Sequence, residues 1–385
     1  MAPCLLVQDG ILQEEHLLLH VLQEFYSSLK LFGWFTLTAR LSIKSLSHQE
    51  LLDAFNELGF PKFRVQQVEQ WLWQRGAQSF DVMTNLSKQM RSQLDDIYYI
   101  SNTIISLTQV SCDGTRKYLL TFDDGVSVEA VGIPSHDFSR LTVCFSTQAG
   151  CAMNCSFCAT GKGGFTRDLT IGEMFDQVRI VGEDFGIRVS NVVAMGQGEP
   201  FLNYDAVLGA LRLMNDVKVG LGIGARHITV STCGILEGIK RFSQEPEQFT
   251  LAISLHSALQ PTRDSLMPGV ASRPLDQLRE TIRAYIESTN RRPTFEYAMI
   301  QGINDSDEHL DSLLEFCDGL LSHVNLIPLN PITDEQEAAG MMRPSDRIHY
   351  FQKALMEHGI EASIRESRGS DIDGACGQLT QKKRV

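Results

Sequence analysis

Three cysteines decide what chemistry this chain can do. Cys151, Cys155 and Cys158 stand in a C-x3-C-x2-C spacing, so one short loop offers three thiolates. A structural zinc ion takes four ligands in a closed tetrahedron, and the loop holds no fourth Cys or His. A [4Fe–4S] cluster has four irons, and three cysteine ligands leave one iron open to a small molecule. The spacing favours the cluster, with structural zinc or unliganded buried thiols as alternatives. Two further cysteines have contexts of their own. Cys144 precedes the triplet, and Cys376 lies near the chain end among Gly369, Gly374 and Gly377. Glycines leave the backbone around a thiol flexible and uncrowded, which suits a nucleophile that must serve two positions; the bland alternative is a tail cysteine without a role. Cys4, Cys112, Cys233 and Cys317 lack any such context and read as small hydrophobes.

The elements that must position these thiols are legible in the hydrophobic periodicity. Strands are expected at 141–146, 191–195, 227–231, 249–255, 294–300 and 324–329. Helices are expected at 170–185, where Thr170 and Glu173 form a capping box, and at 204–214, 275–288, 309–321 and 346–358. Six β–α units in succession imply an α/β fold with a parallel sheet and helices outside it. A partial (βα)6 barrel resembling a TIM barrel fits better than an open sheet, because special residues recur at the carboxyl ends of the strands. The cysteine loop follows the first strand and Gly198-Glu199-Pro200 the second. Ser231-Thr232 ends the third, Ser254-Leu255-His256 closes the fourth, Glu296 lies within the fifth and Asn330-Pro331 ends the sixth.

Upstream of the barrel, residues 44–98 read as a small helical domain. Ser47 is a candidate cap, Phe63 opens a second helix, and a third is expected at 83–94. Lys62, Arg64 and Arg75 near its turns suit contact with an RNA backbone, and a solvated helix face explains them equally well. Residues 99–134 read as a β-hairpin linker with turns at Cys112-Asp113-Gly114 and Asp123-Asp124-Gly125. The catalytic barrel and its cysteine tail take 135–385, and residues 1–43 are a helical extension without an assignable role.

Composition bounds the rest. A chain of 385 residues suggests roughly two to three domains, and 43% hydrophobic with 21% charged residues excludes a disordered chain. The formal net charge of -13 excludes a partner held by bulk positive charge, so nucleic acid would need a local basic patch. Nine cysteines are sparse and odd in number, which argues against a disulfide framework. Asp9, Glu14, Glu15 and Glu24 surround the apolar run from Leu17 to Leu22, unlike a secretory or transit signal. No uncharged apolar run reaches the roughly 20 residues of a membrane span. The expectation is a soluble, monomeric protein of a reducing compartment, the cytoplasm, with an organelle stroma or matrix as the alternative.

Together the motifs resemble the radical S-adenosylmethionine (SAM) adenine C2/C8 methyltransferases, the RlmN/Cfr family. The resemblance is carried by Cys144-x6-Cys151 and the cysteine triplet with Phe157, by G-Q-G-E-P at 196–200, and by I-S-L-H at 253–256. F-E-Y at 295–297, V-N-L-I-P-L-N-P at 324–331 and the tail at 368–379 extend it, as do Phe63-Arg64 and M-T-N-L-S-K at 83–88. It runs from about Ser45 to the chain end; Gln197 stands where the family often has an apolar residue. The resemblance implies a [4Fe–4S] cluster on Cys151, Cys155 and Cys158 with SAM on its open iron. Gly198, Glu199, Ser231, Ser254, Leu255, His256 and Asn330 would then hold SAM, Glu199 taking its amine.

It further implies that Cys376 accepts a methyl group from one SAM. A 5′-deoxyadenosyl radical from a second SAM activates that methyl group, which adds to an adenine, and Cys144 resolves the adduct as a Cys144–Cys376 disulfide. Glu129 matches the family's acid/base glutamate, although on residue type alone it is a charged residue on a strand. The implied substrates are an adenine of 23S ribosomal RNA and, in many members, the adenine beside the tRNA anticodon. An external electron donor and a thiol reductant complete the partners. Lys162, Arg167, Arg116, Lys117 and the tail Lys382-Lys383-Arg384 are candidate phosphate contacts. C8 methylation, a radical-SAM maturase and a non-catalytic metal-containing RNA-binding protein are the competing readings; the last would not need Cys144, Cys376 or Glu199. An electron-transfer protein would supply every cluster ligand itself.

Overall fold

Ser47 and Glu50 cap the first helix, α1 (His48–Glu57), in a reciprocal capping box. The second, α2 (Phe63–Glu69), continues as a π turn through Gln70–Gln74. The third, α3, spans Lys88–Ile97 instead of starting at Met83. The Ser87 hydroxyl accepts the Met90 amide and fixes the first turn there, and Phe80–Val82 forms a separate 3-10 turn. This computed structural model describes residues 40–330, 332 and 342–380. Most of the 1–43 extension and the basic tail Lys382-Lys383-Arg384 lie outside the described residues.

Next come three antiparallel strands, β1 (Thr103–Val110), β2 (Arg116–Phe122) and β3 (Ser127–Pro134). Gly114 and Gly125 take the positive φ that their hairpin turns require. The segment expected as a linker is part of the main sheet, because β3 pairs antiparallel with β4 (Leu141–Cys144). Two short strands, β5 (Gln148–Gly150) and β6 (Phe165–Asp168), flank the cysteine loop and the one-turn helix α4 (Ala159–Lys162). Helix α5 (Ile171–Phe185) follows, capped by Thr170 and Glu173 as expected.

Alternation then runs to the chain end. The units are β7 (Val189–Ala194), α6 (Tyr204–Asn215), β8 (Ile228–Thr232), α7 (Leu236–Phe242) and β9 (Thr250–Ser254). Helices α8 (Gln260–Leu266) and α9 (Leu275–Thr289), β10 (Thr294–Met299), α10 (Asp307–Cys317) and β11 (His323–Pro328) come next. Helix α11 (Ile348–Glu357) and β12 (Glu361–Ile364) end the series. The ten-stranded sheet has the order β12-β11-β10-β9-β8-β7-β4-β3-β2-β1, and β4 and β7 to β12 are mutually parallel. The six expected parallel strands are present. The seventh, β12, is too short and too evenly half-buried to carry a periodic signal.

Most of the buried faces of these elements form one continuous apolar core from Ile43 and Phe55 to Phe351 and Leu355, while Val131, Cys144 and Leu379 form a small second cluster. Among the described residues no helix is long and apolar enough to cross a membrane.

Candidate functional site at the carboxyl ends of the strands

The cysteine loop is pinched at its base by the pairing of β5 with β6. Gly150 makes that pinch possible: at φ +77° a Cβ would sit 2.0 Å from the Gly164 carbonyl oxygen. The Cys158 amide donates to the Cys155 carbonyl (3.1 Å), and Met153 accepts from the Gly269 amide (3.0 Å). Burial pushes the Cys151 thiol up to about 12, and the neighbouring Cys155 and Cys158 add to the shift. Cys158 is likewise raised by burial.

Three cysteines on one short loop, of which Cys158 lines the cavity described below, suit a four-iron cluster, whose ligands bind different metal atoms. Arg263 adds an independent argument. It is 1% exposed, donates Nη2 to the carbonyls of Cys233 (2.6 Å) and Ser254 (3.3 Å), and has an Nε without an acceptor. Among the described residues no carboxylate forms an ion pair with it. A buried cation needs a counter-charge, and a thiolate-ligated cluster beside Cys155 supplies one.

The rim residues meet where the spacing implied. Gly198, Glu199, Ser231, Ser254, His256 and Asn330 line one cavity with Cys158. Leu255 does not line it; its side chain is in the core. Gly198 has φ +105°, and a Cβ there would lie 2.6 Å from that of Gln148, so this turn admits glycine alone. Glu199 is buried and accepts the amides of Phe201 (Oε1, 3.0 Å) and Cys233 (Oε2, 2.7 Å). Burial raises its pKa, and those amides oppose the shift. The Thr232 and Cys233 side chains also hydrogen-bond this carboxylate, whose negative charge suits an ammonium group. His256 Nδ1 accepts the Ala298 amide (3.0 Å), so Nε2 is left to donate, and burial pushes its pKa down to about 3. The Phe157 ring packs edge-on against it at 4.5 Å. Gln197 joins the cluster strand by backbone: its carbonyl accepts Thr147 and Gln148, and its amide donates to Ser146.

A second, adjoining cavity shares Asn330, Arg365, Cys376 and Gly377 with the first and adds Cys144. The two thiols thus share one chamber although 232 positions separate them (376 minus 144). Asn330 Nδ2 donates to the Cys376 carbonyl (3.2 Å), the Ala159 amide to Gly377 (2.7 Å), and Thr160 to Leu379 (2.8 Å), which ties the tail to the cysteine loop. Burial pushes Cys144 up to about 12; Cys376 adds to this and Arg365 opposes it. Arg365 is a functional candidate that the sequence reading missed. Residue type gave no signal, since one arginine in a tail looks like any other until the end of β12 brings it into the chamber of the two thiols.

Glu129 lines neither cavity. Its Oε2 accepts the Thr380 amide (2.6 Å) and its Oε1 pairs with Lys117 Nζ (3.3 Å), which also donates to the Asp373 carbonyl (3.2 Å). Lys117 is therefore buried and no phosphate contact. Arg116 pairs with Asp184, and Arg167 with Asp124 and Glu173, while Lys162 is exposed.

A parallel half-barrel with a three-cysteine loop after its first strand, facing polar strand ends across one cavity, defines a radical-SAM enzyme. Residues 145–317 match the Radical SAM superfamily, and residues 41–100 match the ribosomal RNA large subunit methyltransferase N-terminal domain. The chain is 46% identical over 342 residues to the probable dual-specificity RNA methyltransferase RlmN of Synechocystis sp., covering 88% of this chain and 95% of that protein. It is 44% identical over 346 residues to the protein of the same name from Geobacillus kaustophilus, covering 89% and 93%. The crystal structure of a radical SAM methyltransferase from Sphaerobacter thermophilus aligns with a TM-score of 0.80 at 40% identity, covering 89% of this chain and all of that one. The chain belongs to the RlmN family of radical-SAM RNA methyltransferases. Membership implies SAM and a [4Fe–4S] cluster.

Proposed function

We propose that this enzyme methylates carbon 2 of an adenine in 23S ribosomal RNA, and of the adenine beside the anticodon in tRNA, with the methyl group carried on Cys376. The supporting observation is the chamber shared by Cys144 and Cys376, which shares Asn330, Arg365, Cys376 and Gly377 with the cavity lined by Cys158 of the cysteine loop. Cys151, Cys155 and Cys158 hold the cluster; Gly198, Glu199, Ser231, Ser254, His256 and Asn330 hold SAM, with Leu255 fixing the strand end from the core. When bound, that pair supplies the one-electron chemistry that activates a methyl C–H bond, needed because an aromatic C2 is not a nucleophile.

The chain's residues do the rest. Cys376 loses its thiol proton to solvent and takes the methyl of one SAM as a thioether, the S–CH3 bond of that SAM breaking to release S-adenosylhomocysteine. Glu129, which lines neither cavity, takes the proton that the adenine ring carbon loses as the methyl carbon adds, a role that requires the tail held on it at Thr380 to shift when RNA is bound. Cys144 then forms a bond to the Cys376 sulfur as the sulfur–carbon bond breaks, and the disulfide is returned to two thiols by an external thiol reductant. An external electron donor serves the cluster. The adenine must leave its stack to enter the chamber. Residues 44–98 form a domain that approaches RNA, with Lys62 exposed at its turn, and residues 135–385 form the catalytic barrel and tail. The reducing chemistry suits the cytoplasm.

The test is anaerobic reconstitution with iron and sulfide, mass spectrometry of Cys376 after incubation with SAM, and nucleoside analysis of RNA substrates. A cluster, a methyl group on Cys376 and 2-methyladenosine are expected. A cluster with Cys376 reduced and unmethylated removes the shuttle; 8-methyladenosine moves the reaction to the neighbouring carbon.

A further inference from the structure

The reaction above gives no task to two stretches of the helical domain, Phe63-Arg64 and M-T-N-L-S-K at 83–88. The fold joins them on one surface. Phe63, the first residue of α2, is 59% exposed. A single exposed ring means little by itself, but this one is framed. The Arg64 guanidinium lies over the ring, 4.9 Å from its centroid, and Nη1 donates to the Asn85 carbonyl (2.9 Å) and to Gln67 (2.7 Å). The Asn85 side chain accepts the Trp71 indole N–H (2.6 Å), and Arg75 lies over the Trp71 ring at 4.2 Å. One asparagine of the second stretch thus holds two aromatic–guanidinium pairs together. Lys62 and Arg75 are exposed beside them, and among the described residues no carboxylate pairs with Lys62, Arg64 or Arg75.

We propose that Phe63 is a stacking platform for an unpaired nucleobase of the substrate RNA, a base other than the reacting adenine, with Lys62 and Arg75 on the neighbouring phosphates. This rests on the RNA reading above and names the contact that the helical domain makes. Base stacking needs a flat π face open to solvent and held still, and it tolerates any base because every base has such a face. Arg64 covers part of the ring and is itself pinned through Asn85, while more than half of the Phe63 surface stays open. The unpaired cations select a polyanion over an apolar protein partner, and they are a local excess of positive charge in a chain of net charge -13. Phe63 lines neither cavity, so it is a positioning residue that places the RNA and does not meet the reacting atoms.

The experiment is a fluorescence-anisotropy titration of the reconstituted full-length protein with an unmodified tRNA transcript, repeated over a series of salt concentrations. Phe63→Leu, which keeps an apolar side chain and removes the π face, is expected to weaken binding about tenfold with the salt slope unchanged. Phe63→Tyr should retain the affinity. Lys62→Ala should weaken binding and lower the salt slope by about one, the mark of a lost phosphate contact. In methylation assays Phe63→Leu should raise KM more than it lowers kcat. Thermal unfolding and iron content report whether each variant is folded, and should Phe63→Leu fold poorly, Phe63→Met makes the same comparison. Folded variants without the ring that bind as tightly as the wild type overturn the platform and leave RNA as the substrate; so does an equal loss in Phe63→Tyr and Phe63→Leu. A wild-type protein that binds no RNA overturns the RNA reading itself.

Discussion

At the scale of single residues, the two thiols of the chamber have different surroundings, which is what the proposed division of work between them needs. Cys144 lies at the end of a core strand, where burial keeps it protonated until substrate chemistry and Arg365 favour the thiolate. Cys376 rides a glycine-flanked tail. Cys144→Ala is therefore expected to permit methylation of Cys376 and to accumulate a covalent protein–RNA species on denaturing gels; a clean product turnover would remove Cys144 from the resolving step. Glu129→Gln is expected to slow turnover by about 100-fold or more, the usual scale of general acid–base work. His256 offers a pH test. Its folded pKa lies near 3 against 6.5 unfolded, so its stabilising contribution is whole above pH 6.5 and drains away as pH falls toward 3. Chemical unfolding should show the wild type losing about 2 kcal/mol more than His256→Gln between pH 7 and pH 5. Equal losses would mean that this imidazole titrates normally.

At the scale of elements, the antiparallel hairpins and the tail act as one device. The turn between β1 and β2 grips the tail: Asp113 accepts Arg368 (3.0 Å) and the Gly369 amide (2.9 Å), and Asp371 accepts Ser111 (2.6 Å) and the Cys112 amide (3.1 Å). Those bonds fix the start of the segment whose other end is held by Asn330 and the cysteine loop. Asp113→Ala should lower the fraction of Cys376 found methylated while iron and sulfide content stay at wild-type levels, read by mass spectrometry and metal analysis on the same sample. A parallel fall in both would show that the grip serves folding in general.

For the whole molecule, the helical domain is anchored to the barrel by a buried ion pair. Lys44 Nζ lies 2.6 Å from Asp176 on α5, Thr103 also donates to that carboxylate, and Trp73 packs on Phe175 with ring centroids 5.1 Å apart. Breaking a buried pair leaves a desolvated charge, so Lys44→Ala should cost about 3 kcal/mol in equilibrium unfolding. A cost near zero would mean that water reaches Asp176 in the variant. The acidic total is no obstacle to RNA at this scale, because several basic residues are already neutralised within the chain and an exposed subset is enough for local contact.

The primary structure by itself determined the local chemistry: the C-x3-C-x2-C loop, the capping boxes at Ser47 and Thr170, the hairpin turns at Gly114 and Gly125, and the six strands whose ends carry the rim. These depend on spacings of a few residues, which one-dimensional periodicity records. It also exposed Cys144 and Cys376 as unusual. Tertiary structure alone decided that they share a chamber, that Arg365 after β12 lines it with them, and that Lys117 is spent on Glu129. It also turned Cys233 from an ordinary hydrophobe into a neighbour of the cluster loop. Each of these is a contact between residues far apart in the chain. Such contacts are set by strand order and register in the sheet, to which the identity of a lone arginine or cysteine carries no clue.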